Sequence, residues 1–137
     1  MLNLIGPISS GLASGGSGAA AASHTTVPEM YGHLAAVYVQ YNDSPPLTSD
    51  LTVSTVGTSP SAPAITLLSL SNVNTNGWYY PRVALHTPEG GLAGSLYSYV
   101  PVYDRITVAV AQADDGDSVD VWLLIEGAEH RHRRRLI

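Results

Sequence analysis

The sequence predicts an all-β protein: an antiparallel β-sandwich, jelly-roll-like, with an extended N-terminal arm and a short basic C-terminal tail. Three observations predict it. Short segments alternate apolar and polar residues with a period of two, clusters of Gly, Pro, Asn and Asp separate them at close intervals, and no stretch shows helical periodicity. A chain of 137 residues is one domain, long enough to bury its own core. We divide it into an arm over 1–26, a sandwich over 27–127 and a tail over 128–137.

The arm, MLNLIGPISSGLASGGSGAAAASHTT, is rich in Gly, Ser and Ala. It has no basic n-region, and its apolar runs are too short for a signal core or a membrane span. Its small side chains bury too little to offset the entropy lost on ordering. The expectation is that a neighbouring subunit holds it, with Leu2, Leu4, Ile5, Ile8 and Leu12 as partner-binding anchors.

From Val27 the composition shifts. Val27–Gly32 reads as a turn or a single helical turn, and His33–Tyr41 alternates, with Ala35, Val37, Val39 and Tyr41 on one face and Leu34, Ala36, Tyr38 and Gln40 on the other. Leu51–Val56 is a second strand. Ala64–Ser71 is a third, and its phase slips between Ile65/Leu67 and Leu68/Leu70, which predicts a bulge or burial on both sides.

Asn74–Gly77 is a polar turn that runs into Trp78-Tyr79-Tyr80-Pro81-Arg82-Val83-Ala84-Leu85-His86, a strand in which Pro81 demands an edge, a bulge or a nitrogen pointed away from any neighbour. Arg82, between apolar residues, must find a carboxylate or reach solvent. Trp78, Tyr79 and Tyr80 are either core or an aromatic platform for a sugar or a neighbouring subunit. Thr87–Gly91 is a turn, and Ser95–Tyr103 alternates again. Arg105–Ala113 and Ser118–Glu126 flank Asp114-Asp115-Gly116-Asp117, which predicts a β-hairpin.

Charge separates the chain into two parts. Val27–Gly127 holds ten acids and two arginines, a balance of −8, whereas the tail holds Arg131, Arg133, Arg134 and Arg135 against Glu129, a balance of +3. The acidic body argues against nucleic acid as its partner, and the four arginines are expected to bind a partner: phosphate, an acidic protein surface or the acidic body of a neighbouring copy. Only 12% of residues are charged. A surface so poor in charge is expected to be covered largely by other protein.

No chemistry-bearing motif emerges. The chain has no Cys, so neither a disulfide framework nor a thiolate metal site is available. Asp114, Asp115, Asp117 and Asp120 do not follow the calcium-loop spacing, and His130 and His132 sit among arginines that repel a cation. No nucleophile, zinc or phosphate-loop motif is present. The reading is therefore a non-enzyme with no catalytic residue, metal site or cofactor.

The runs Asn72–His86 (NVNTNGWYYPRVALH) and Val100–Gly127 (VPVYDRITVAVAQADDGDSVDVWLLIEG) resemble small β-rich structural proteins of tailed bacteriophages that decorate or cement the capsid. The resemblance implies a virion structural protein on the capsid surface. It would clamp neighbouring major capsid proteins and copies of itself, as a trimer before a dimer, with no membrane and no nucleic acid partner for the body. Two other readings stand beside it: a carbohydrate- or receptor-binding β-sandwich module, and a tail or baseplate component.

Overall fold

The computed structural model describes residues 2–57 and 63–127. Among them eleven strands form two facing antiparallel sheets and one separate ribbon. The front sheet runs β1 (Leu2–Ser9), β11 (Ser118–Glu126), β3 (Met30–Asn42), β6 (Gly77–Tyr79), and β9 (Val100–Asp104) pairs with the first half of β3. The back sheet runs β2 (Ala20–Thr25), β10 (Ile106–Ala113), β4 (Asp50–Thr55), β5 (Thr66–Leu70). β7 (Val83–His86) and β8 (Leu92–Ser98) pair with each other and stand apart from both sheets.

Alternation builds the core. Val37, Val39, Val119, Val121, Leu123 and Ile125 point inward from the front sheet and meet Leu51, Val53, Ile106, Val108 and Val110 from the back, all essentially inaccessible to solvent. Burying each such side chain is worth about 1.5–3 kcal/mol. The intervening residues, among them Tyr38, Gln40, Asp120 and Trp122, are left on the outer face of the front sheet.

The N-terminal segment is not an extended arm. β1 pairs with β11 and β2 pairs with β10, so residues 2–25 supply an edge strand to each sheet. What holds the Gly/Ser loop between them is this chain's own acidic turn. Asp114 Oδ1 accepts from the Gly18 amide at 2.8 Å and the Ser17 hydroxyl at 3.1 Å, and Asp115 Oδ1 accepts from the Gly15 amide at 3.3 Å. Nearby, the Ser10 amide donates to the Val119 carbonyl at 2.9 Å while the Ser10 hydroxyl accepts from the Val119 amide at 3.0 Å. Backbone ladders need no large side chains, which is why so bland a sequence is ordered here. The basic tail, with Arg131, Arg133, Arg134 and Arg135, lies outside the described residues.

Pairing differs from expectation at a second place. β10 and β11 are adjacent in sequence but belong to opposite sheets, so the Asp114–Asp117 turn crosses the sandwich instead of closing a hairpin. Each strand has one apolar face, and those faces meet across the core.

The bulge expected at β5 is present: Val53 pairs with Leu68 and Ser54 with Thr66, leaving Leu67 extra. A second bulge makes Ala35 the extra residue of β3, so Leu34 turns inward beside Val37. The strand expected to run from Trp78 to His86 breaks at Tyr80-Pro81-Arg82, and the one expected over Ser95–Tyr103 breaks at Tyr99. Those two breaks are the roots of the β7–β8 ribbon.

Candidate functional site

Two features of the surface are available to partners, and both follow from the front sheet. The first is a row of rings across three strands. Trp122 on β11 and Trp78 on β6 both stand opposite Tyr38 on β3. The Tyr38 and Trp78 centroids are 5.1 Å apart with planes inclined at 54°, and those of Tyr38 and Trp122 are 5.6 Å apart at 59°. The inclined rings form a shallow cup rather than a flat floor. Together with Leu4 and Gln40 they line a groove of about 190 Å³. Trp78 is 47% exposed, and Tyr38 and Trp122 are half-buried.

Beside the rings lies a polar row. Asp120 stands opposite Gln40 and Ser118 opposite Asn42. The Asn42 amide donates to the Ser118 hydroxyl at 3.1 Å and to Asp120 Oδ2 at 3.4 Å, whereas the Gln40 side-chain amide makes no hydrogen bond to a described residue. Gly6 keeps the Trp122 indole in place. At its φ of +149°, a Cβ there would come within 2.8 Å of the Val121 carbonyl oxygen and 2.9 Å of Trp122 Cδ1.

The second feature is the β7–β8 ribbon. Val83 and Leu85 share one face and Tyr97 lies opposite Ala84 on the other. Leu92, Leu96 and Tyr97 are each at least 60% exposed. The roots are clamped: the Arg82 guanidinium donates to the Ala35 carbonyl at 2.9 Å and lies 4.5 Å above the Tyr99 ring. Arg82 is exposed, the second of the two outcomes expected for it, and its guanidinium is engaged by a backbone carbonyl and a ring.

Of the residues singled out from the sequence, Trp78 alone joins the ring row. Tyr79 faces inward opposite Val37 and packs against the core, and Tyr80, although 63% exposed, lies beyond the end of β6. Tyr38 and Trp122 complete the row, and neither is a neighbour of Trp78 in sequence. Their strand phase was the available signal, since each alternates with buried valines or leucines. Among the expected anchors, Ile8 is buried and Ile5 packs against the core, so both serve this chain, whereas Leu2, Leu4 and Leu12 are exposed. The four acids of the turn do not converge on one point. Asp114 and Asp115 bind loop donors and Asp117 Oδ2 accepts from the Asp114 amide at 2.9 Å, and no group of three or more metal-ligating side chains is found among the described residues.

A separate cleft of about 390 Å³ opens along the side where β1 and β2 are the edges, lined by Pro7, Ile8, His24 and Thr26 among others. It brings no second titratable group to His24.

Neither a protein-family model nor a curated protein matches the chain. Among solved structures it is similar to variants of CBM29-2, a family 29 carbohydrate-binding module. One is 12% identical with a TM-score of 0.39 over 85% of this chain and 68% of that one. Another, complexed with cellulohexaose, is 12% identical with a TM-score of 0.38 over 82% and 65%. A third is 10% identical with a TM-score of 0.41 over 91% and 85%. Likeness of this degree carries nothing about a ligand, so the case for any partner rests on this chain's own residues.

Proposed function

We propose that the chain is a non-catalytic β-sandwich subunit of a larger protein assembly, of the virion-decoration kind that its sequence resembles. Its β7–β8 ribbon engages the major capsid protein or a neighbouring copy at the capsid surface. The observation that carries this reading is the ribbon itself. An isolated two-stranded ribbon is at best marginal in water, yet this one exposes Val83, Leu85, Leu92, Leu96 and Tyr97 and has Glu89 as its one charged residue between Val83 and Ser98. Exposed apolar surface of this extent marks an interaction site. The mechanism is mechanical: the sandwich is the rigid body, the clamped roots aim the ribbon, and a protein partner buries its apolar residues.

The test is a double substitution, Leu92→Asp with Leu96→Asp, followed by sedimentation of the full chain alone and with assembled particles. The expected result is loss of oligomers and of co-sedimentation with an unchanged melting temperature. A wild-type chain that stays monomeric and binds no particle would refute the proposal.

A second reading is favoured by the ring row: a carbohydrate-binding module in which sugar rings stack on Tyr38, Trp78 and Trp122. Aromatic faces beside unengaged hydrogen-bonding groups are what sugar recognition requires. The two readings are compatible, since the ribbon and the row occupy different parts of the chain.

A further inference from the structure

We propose that the cup formed by Trp122, Tyr38 and Trp78 seats a single neutral pyranose ring, with Gln40 and Asp120 binding its hydroxyls; this rests on the carbohydrate reading above and adds to it the size and charge of the ligand.

The size follows from ring geometry. A flat ribbon of linked sugars needs successive aromatic faces that are nearly coplanar, so that each sugar stacks in turn. Here the outer two rings are inclined at 54° and 59° to the central one. Neighbouring rings are therefore not coplanar, and the row offers no continuous floor on which linked sugars could stack in turn. The groove of about 190 Å³ is on the scale of one hexose.

The charge follows from the groups around the cup. Asp120 is the acid of the adjoining polar row, and its carboxylate is held by the Asn42 amide alone among the described residues. A carboxylate in such a row accepts from sugar hydroxyls and repels a uronate or sialate. No cation among the described residues offsets it. The basic side chains there, other than histidine, are Arg82, committed to the Ala35 carbonyl and the Tyr99 ring, and Arg105, which adjoins β10 of the back sheet. Gln40 supplies both a donor and an acceptor that no described residue occupies. Gly6 leaves room for the Trp122 indole to lie against β1, where a side chain at that position would meet Cδ1 of the ring.

The experiment is tryptophan fluorescence titration of the full chain with the methyl glycopyranosides of glucose, galactose and mannose, with cellohexaose, and with glucuronate. The expected result is saturable binding of at least one neutral glycoside, weakened about tenfold by Trp122→Ala and severalfold by Gln40→Ala, each variant remaining folded with the far-ultraviolet circular dichroism of the wild type. Cellohexaose should gain less than about threefold over methyl glucoside, and glucuronate should bind at least about tenfold more weakly. Glucuronate binding as tightly as the neutral glycoside, or a gain of tenfold or more with chain length, would overturn this inference while leaving the carbohydrate reading intact. Absence of binding by every sugar in the panel would overturn both.

Discussion

Arg82 closes a gap in the β-ladder by donating to the carbonyl of Ala35 at 2.9 Å. On that side β3 pairs with β9 through Met30–Leu34 and with β6 through Val37–Val39, so Ala35 falls between two partners. The same guanidinium lies over Tyr99, and Arg82 and Tyr99 are the residues at which the chain leaves and rejoins the front sheet. One side chain thus satisfies an orphan carbonyl and pins both roots of the ribbon.

Arg82→Ala should therefore cost about 1–3 kcal/mol, the sum of a charge-assisted hydrogen bond and a cation–π contact. Arg82→Lys should recover only part of that loss, because an ammonium cannot reproduce the planar fork. Denaturant unfolding gives the stability change. Hydrogen exchange should show faster exchange across Val83–Ser98 with protection of β10 and β11 unchanged.

Asp114 is the residue that holds the Gly/Ser loop, through the Gly18 amide and the Ser17 hydroxyl. Asp114→Ala should destabilise the fold by about 1–2 kcal/mol, the worth of charged hydrogen bonds at a partly solvated site. Asp115→Ala, with one longer bond at 3.3 Å, should cost less. Thermal melts of both variants and proteolysis between Ser10 and Ala19 check the order. Equal losses would contradict the assignment.

Tyr41 is 8% exposed, and its hydroxyl finds no hydrogen-bond partner among the described residues. Burial first, then the neighbouring Tyr79 and Asp50, pushes its phenol from 10.0 up to about 12. The folded chain then keeps a proton that the unfolded chain gives up. The contribution is full below pH 10 and is lost as pH rises toward 12, a fall of about 2 kcal/mol over that window. Tyr41→Phe should remove this alkaline limb and leave stability at neutral pH unchanged or slightly raised, since no bond is broken. Urea midpoints at pH 7, 10 and 11.5 test both statements.

Gly6→Ala should disturb the ring row without entering it. The new methyl meets the Val121 carbonyl oxygen and Trp122 Cδ1 at less than 3 Å, in a backbone conformation that L-residues avoid. A loss of about 1–3 kcal/mol is expected, together with a shift in tryptophan emission as the indole moves. Unchanged fluorescence would show that Trp122 is not positioned by this glycine.

The all-β class and most strand positions were legible because alternation is local: Val37/Val39 and Val119/Val121 declare their buried face within a few residues. Pro81 marked an irregular strand without showing that the strand ends there, and the slip in Ala64–Ser71 pointed to the bulge of β5. The ring row was legible only at Trp78, because Tyr38 and Trp122 come from strands far apart in sequence.

Strand character from His33 onward was thus largely settled by the sequence itself, including the division of His33–Tyr41 into two faces apart from the bulge at Ala35. Strand partners were settled by the tertiary structure. Ala20–Thr25 is too plain to declare itself and becomes a strand by lying along β10, and β10 and β11, joined by a turn that reads as a hairpin, part into opposite sheets. The physical reason is that a side chain's periodicity records the solvent it avoids, whereas a backbone N–H or C=O records nothing until a distant strand or carboxylate comes to meet it.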